Sequence, residues 1–425
     1  MSSVRDLLAT KEIVVACGPG GVGKTTTAAA LAATIAAGER KKVLALTVDP
    51  ARRLADALGI RGIGNVAHRV PNEAFEAAGV RAAGQLWAAM LDTRQSWDAL
   101  VRRHAPDQAT AEQIIANPLY QNIAGRFAQG HDYIAIERLY ELHEEGEYDL
   151  IVVDTPPTRN AIDFLDAPER MAEFFASRLL RWLTVPYRSR LAVAASRPFY
   201  QVADRILGSQ LLQDLAEFFI LFQTMHEGFV TRAEAVSRLL RDVRTTFMIV
   251  TTLEAVPARE ARVFAEMLSE RKLHLGLLVC NKALPDFLVE EPLSEAATML
   301  RRRAPELAAA LAPELPGNPE QALVARVLEE VGAGCLNFQL VARRERELRA
   351  EMARAHEVTA TVPFFENEIT DLAGVLAVGA QVLGETWTPQ EPEKKQEPDK
   401  KGANSDRSRR SRDRGVHRGA HDGRE

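Results

Sequence analysis

Cysteine is scarce in this chain: only Cys17, Cys280 and Cys335 occur among 425 residues, far apart in sequence and with no C-x-x-C pair. That excludes a disulfide framework, a cysteine-clamped zinc and an iron–sulfur cluster, all of which need sulfur ligands in groups. Long apolar runs are also missing, since no uncharged stretch approaches the ~20 residues of a membrane-crossing helix. Nor is there a basic excess. The formal net charge is −5, so the body of the chain has no phosphate-neutralising surface for nucleic acid. The first residues lack the basic, apolar and small-residue series of a signal peptide, and a cytoplasmic location is the expectation.

What is present begins with 46% hydrophobic residues, enough to bury a substantial core. The most informative stretch is Gly18-Pro19-Gly20-Gly21-Val22-Gly23-Lys24-Thr25. It follows the apolar run Ile13–Cys17 and opens Ala-rich helical sequence from Thr26 to Ala37. A G-x-x-x-x-G-K-[ST] match between a strand and a helix is a phosphate-binding loop. Glycines let the backbone curl so that N–H groups point inward at a helix N-terminus and cradle phosphates. The pattern assigns Lys24 to the β- and γ-phosphates and the Thr25 hydroxyl to Mg²⁺.

Short apolar runs recur along the chain, at 12–17, Val43–Val48, Leu150–Val153, Phe247–Thr251, Leu275–Cys280 and Val358–Val362. Near-continuous apolar strands alternating with helices predict a parallel sheet covered on both faces, with ligands at the carboxyl ends of the strands. Two long stretches read as helical insertions, about 72–147 and about 168–244. In the second, Leu215, Phe218, Phe219, Phe222, Met225 and Phe229 share one helical face. Such a stripe is either core or an adaptable lining for an apolar guest. From Thr388 aliphatic residues nearly vanish, so 388–425 reads as a disordered charged tail. Its arginine-rich end is the only nucleic-acid signal.

Two further motifs lie at strand ends. After the second run stand Asp49-Pro50-Ala51-Arg52-Arg53-Leu54-Ala55-Asp56-Ala57. After Leu150–Val153 stand Asp154-Thr155-Pro156-Pro157-Thr158, continuing to Phe164-Leu165. An aspartate closing an apolar strand downstream of a phosphate loop occupies a Walker-B position, with its carboxylate available to Mg²⁺ directly or through water.

The phosphate loop, D-P-A-x-x-L-x-D-A and D-T-x-P-T-x-x-x-x-x-F-L together resemble the ATPase family of arsenite efflux (ArsA) and guided entry of tail-anchored membrane proteins. Leu278-Val279-Cys280-Asn281-Lys282 and Val362-Pro363-Phe364-Phe365 extend the resemblance over roughly residues 10–385. It implies an α/β P-loop NTPase fold of the SIMIBI class: a Rossmann-like, mostly parallel sheet flanked by helices, with an α-helical insertion subdomain, in a domain spanning 1–387. It further implies ATP and Mg²⁺ as ligands. Gly20, Gly21, Val22, Gly23, Lys24, Thr25 and Thr26 would hold phosphates, and Thr25 and Asp154 the metal. Asp49 would orient the attacking water, Asn281 would read the base, and Pro363 and Phe364 would pack against it. The implied assembly is a homodimer, or a heterodimer with a paralogous ATPase. Its ATP-driven closing would be coupled to a hydrophobic-helix client or a membrane-protein partner.

The chain also departs from the family. Where the family's phosphate loop carries a lysine that reaches the partner's phosphates, this sequence has Pro19, which offers neither charge nor N–H. Arg52 or Arg53 would then supply the cation, or a paralogous subunit would. Asn281-Lys282 is followed by Leu284 where a guanine-reading motif carries aspartate, which points to adenine. Two other roles stay open at this stage: an accessory ATPase of arsenite or anion efflux, and a positioning-type scaffold ATPase akin to partition proteins. Separated cysteines weigh against the first, because trivalent arsenic seeks clustered thiolates.

Overall fold

Every residue of β1 (Ile13–Cys17) is buried, so both of its faces need cover. Side chains alternate across the sheet: Ile13, Val15 and Cys17 enter one core, and Val14 and Ala16 the other. In this computed structural model the described residues are 3–48, 54–55, 58–60, 64–123, 128–156, 165–167, 169–170, 173, 218–221, 224–356 and 358–386. Among them are seven more strands: β2 (Lys42–Thr47), β3 (His68–Arg69), β4 (Gln85–Met90), β5 (Leu150–Asp154), β6 (Thr245–Thr251), β7 (Leu275–Ala283) and β8 (Val358–Pro363).

They form one sheet in the order β3-β4-β2-β5-β1-β6-β7-β8. Every pairing is parallel except β3 with β4. The sheet winds outward from β1 in both directions, which places a crevice at the carboxyl end of β1, where the Gly-rich loop leaves it. This is the expected α/β, mostly parallel architecture of a P-loop NTPase. All six apolar runs singled out in the sequence are strands.

Helices close both faces. In chain order they are α1 (Val4–Leu8), α2 (Lys24–Gly38), α3 (Asn72–Ala77), α4 (Thr93–His104), α5 (Gln108–Ala116), α6 (Pro118–Ile123) and α7 (Ala128–Glu144). After β5 come α8 (His226–Leu240), α9 (Ala255–Glu270), α10 (Glu291–Arg302), α11 (Ala304–Leu311), α12 (Gln321–Ala355) and α13 (Leu372–Leu383). Side chains of α1, α2, α3 and α13 join the core on one face, and those of α4 to α9 the core on the other. The alanines of α2 follow from crowding. A Cβ at Gly379 of α13 would lie 2.5 Å from the Ala30 carbonyl oxygen and 1.9 Å from Thr34 Oγ1, so only small residues let these helices cross. The hairpin-like arm α10–α12 has a small core of its own around Ala308, Ala312 and Val324.

The reading of 72–147 as wholly helical needs correction, because β4 lies inside it. Gln85-Leu86-Trp87-Ala88-Ala89-Met90 contains no β-branched residue, and most of it favours helix. Pairing with β2 overrides that preference, and Leu86, Ala88 and Ala89 are buried as a result. Gly84 permits the approach, since a Cβ there would fall 2.2 Å from the Lys41 carbonyl oxygen. In the second stretch residues 168, 171–172, 174–217 and 222–223, and with them Leu215 and Phe222 of the stripe, lie outside the described residues, as does the tail 388–425. The described members of its aromatic stripe with the least exposure, Phe218, Met225 and Phe229, are 5%, 0% and 0% exposed and belong to the core. That part of the stripe is packing, not an open groove.

Candidate functional site: a phosphate loop at the centre of the sheet

Gly18 leaves β1 at φ 147°, a Cβ there standing 2.0 Å from the Val250 carbonyl oxygen, so the loop's first turn is open only to glycine. Gly23 (φ 93°) ends the loop as the residue before α2, and a Cβ there would come 2.4 Å from Asn281 Nδ2. Between them the Val22 side chain is buried in the core, while Gly20 and Gly21 are exposed. Lys24, the first residue of α2, is 7% exposed, and its ammonium donates to the Pro19 carbonyl at 2.9 Å. Pro19 thus serves through its backbone, anchoring Lys24 within the loop.

Asp154 ends β5 with 1% exposure, level with Ala16 of β1 and Thr47 of β2. The Thr25 hydroxyl donates to Asp154 Oδ2 at 2.7 Å and the Thr47 hydroxyl at 3.1 Å. Hydroxyl and carboxylate at a helix N-terminus make an all-oxygen donor set of the kind Mg²⁺ takes, beside a loop with three positive-φ glycines, the backbone type that cradles phosphate. These residues fit the metal and the triphosphate. Thr47 has no role in the sequence motifs, and its only signal is its place two residues before Asp49. Thr155, next after Asp154, bonds through its hydroxyl to the Ala16 carbonyl at 2.8 Å and fixes β5 to β1.

A cavity of ≈ 760 Å³ opens above the loop, within the range of small-molecule sites. Gly21, Gly23, Lys24, Thr25 and Thr26 line one side, and Asn281, Pro363 and Phe364 the other. Of the residues expected at phosphates and base, these eight share one cavity, whereas Gly20 and Val22 do not line it and the Val22 side chain packs into the core. Phe364 is 59% exposed and free to stack on a planar guest. Asp49, Arg52 and Arg53 fall outside the described residues.

Asn281 and Lys282 sit on an irregular stretch of β7, where the register with β8 shifts between Cys280 and Ala283. Lys282 adopts φ 57°, a left-handed backbone that costs a non-glycine residue about 1–2 kcal/mol. Regular strand side chains alternate, but the bulge lets two neighbours act together. Asn281 Nδ2 donates to the Val22 carbonyl at 2.7 Å, and Lys282 Nζ to the Gly21 carbonyl at 3.3 Å. The Lys282 backbone N–H donates to Asn281 Oδ1 at 2.9 Å. One donor and one acceptor position of the Asn281 amide are used in these contacts, and its inventory holds one more of each. This clasp on the loop was not legible from sequence, because it depends on the bulge.

Burial pushes the Cys17 thiol up to about 12 and the Cys280 thiol to about 11. Both are fully shielded, whereas Cys335 is half-buried on α12. Among the described residues no group of His, Cys, Asp or Glu is arranged to hold a metal by itself. Likewise, no described helix is long and apolar enough to cross a membrane.

The chain matches the family described as "Anion-transporting ATPase" (ArsA ATPase) over residues 11–305. It is 24% identical to the ATPase GET3 of Malassezia globosa over 267 residues, covering 63% of this chain and 71% of that protein. It is likewise 24% identical to the ATPase BagA of Mycobacterium tuberculosis over 288 residues, 66% of this chain and 67% of the relative. An uncharacterized protein of Streptomyces coelicolor is 31% identical over 270 residues, 63% of this chain and 62% of that one.

Proposed function

The chain belongs to the ArsA family of ATPases, and from that premise we infer that it is a Mg²⁺-dependent ATP hydrolase whose cycle opens and closes a dimer coupled to a hydrophobic client or membrane-protein partner. The single observation that carries the hydrolytic part is the contact of the Thr25 hydroxyl with the buried Asp154 carboxylate beside Lys24.

In this reading the loop N–H groups and Lys24 bind the phosphates and hold the γ-phosphoryl group against developing negative charge. Thr25 and Asp154 hold the metal, and Thr47 keeps the Asp154 carboxylate oriented. Bound Mg²⁺ supplies Lewis-acid neutralisation of the phosphate oxygens. Asp49 orients the attacking water. Asn281, Pro363 and Phe364 receive the base. The domain is 1–387, with the charged tail following it.

Family resemblance supports the dimer and the client. Pro19 makes a heterodimer with a lysine-bearing paralogue a natural form of the assembly. Light scattering with Mg²⁺ plus ADP, and then plus ADP–beryllium fluoride, tests this. A nucleotide-dependent shift in dimer fraction, and retention of an apolar helical peptide only in the triphosphate-like state, are expected. Identical mass and peptide retention in both states would remove the coupling.

Arsenite stimulation is disfavoured by the shielded thiols, since a thiol with a pKa near 11 or 12 is almost wholly protonated at neutral pH. In the native protein Ellman's reagent is expected to modify Cys335 rapidly, and Cys17 and Cys280 only after unfolding. Rapid reaction of all three thiols in the folded chain would reopen an arsenite site.

A further inference from the structure

We propose that Glu345, on the helical arm, is a positioning residue of the nucleotide site and makes α12 responsive to the nucleotide. The proposal rests on the nucleotide reading given above. It concerns a part of the chain beyond the family match, which ends at residue 305.

α12 is 35 residues long and contributes nothing to the described wall of the cavity. It meets the site through one short segment. The Leu284 backbone N–H, one residue past the end of β7, donates to Glu345 Oε2 at 3.0 Å. One turn further along α12, Arg349 Nη2 donates to Asp286 Oδ1 at 2.7 Å. Residues four apart lie on the same helical face, so Glu345 and Arg349 grip residues 284–286 together.

The gripped segment continues directly into the clasp. The Ala283 carbonyl accepts the Phe364 N–H at 3.0 Å, which fixes the wall expected beside the base. Lys282 and Asn281 reach the Gly21 and Val22 carbonyls of the phosphate loop. Four consecutive residues, 281–284, therefore join three parts: the loop, the strand β8 and the arm. A left-handed Lys282 persists only where its surroundings hold it, and the carboxylate on Leu284 is one of those restraints. Without it the bulge relaxes, and both side chains lose their aim at the loop.

Coupling of this kind is reciprocal. A nucleotide that orders the loop orders the bulge, and through Leu284 it biases α12. The far end of α12 at Gln321 lies about 36 Å from Glu345 at 1.5 Å per residue. A small rotation at the grip is therefore a large displacement at the arm's tip.

The test uses the full-length chain with Glu345→Ala and Glu345→Gln, reading steady-state ATP turnover and hydrogen exchange with and without Mg²⁺–ADP. Glu345→Ala is expected to raise KM for ATP about tenfold, within the usual span of coupling effects, with a smaller change in kcat. Glu345→Gln keeps an acceptor oxygen and should recover most of that loss. In the wild type, Mg²⁺–ADP should slow exchange across residues 291–355, and Glu345→Ala should abolish that protection. An unchanged KM together with retained protection in Glu345→Ala overturns the proposal. Should Glu345→Ala fail to fold, a wild-type arm whose exchange ignores Mg²⁺–ADP overturns it equally. Failure of the wild type to bind nucleotide at all would instead sink the site reading on which it rests.

Discussion

Lys24→Ala should lower ATP turnover by about 100- to 1,000-fold, the usual effect of removing one preorganised donor from a developing anionic charge. Lys24 is 7% exposed at the first turn of α2, and the Pro19 carbonyl holds its ammonium inside the loop at 2.9 Å. An ammonium binds phosphate oxygens far more strongly than it binds a neutral carbonyl such as that of Pro19. Alanine retains the helix and the glycine turns, so circular dichroism should be unchanged while phosphate release collapses. Turnover within a few-fold of wild type would mean that the chemistry happens elsewhere.

Asp154→Asn is the second large effect, expected to cost turnover about 100-fold and to raise the Mg²⁺ concentration for half-maximal rate roughly 10- to 100-fold. Thr25 and Thr47 both donate to the same carboxylate oxygen, at 2.7 Å and 3.1 Å. Asparagine can place its carbonyl oxygen there and keep both bonds, so the fold survives. What disappears is the negative charge and the second oxygen, both of which the metal needs. A rate profile across Mg²⁺ concentration separates this from Lys24→Ala, which should leave the metal requirement near its original value. If Asp154→Asn leaves both rate and metal requirement unchanged, Asp154 does not serve the metal.

Much of this site was legible because its chemistry is local. A strand, a loop rich in glycine and a lysine followed by threonine can be read without tertiary information, and Gly18, Gly21 and Gly23 prove to be the positive-φ positions of that loop. The place of Asp154 at the end of β5 was legible for the same reason, since the apolar run Leu150–Val153 stops there. β4 was hidden because Gln85–Met90 carries helix-favouring residues, and only its pairing with β2 makes it a strand. The clasp was hidden for a different reason. Asn281 and Lys282 would point to opposite sides of a regular strand, and the left-handed backbone at Lys282 is invisible in the letters. The arm was overlooked although its signal was available: Gln321–Ala355 is rich in Ala, Leu, Glu and Arg, all strong helix formers.

On the proposed function, the loop 18–25 binds Mg²⁺–ATP at the centre of the sheet. Isothermal titration of the folded wild type and of Lys24→Ala with a non-hydrolysable ATP analogue tests it most directly. The expected result is one saturable, Mg²⁺-dependent site per chain in the wild type, with affinity lost in Lys24→Ala. No binding heat from the folded wild type, or equal affinity in both proteins, would contradict it.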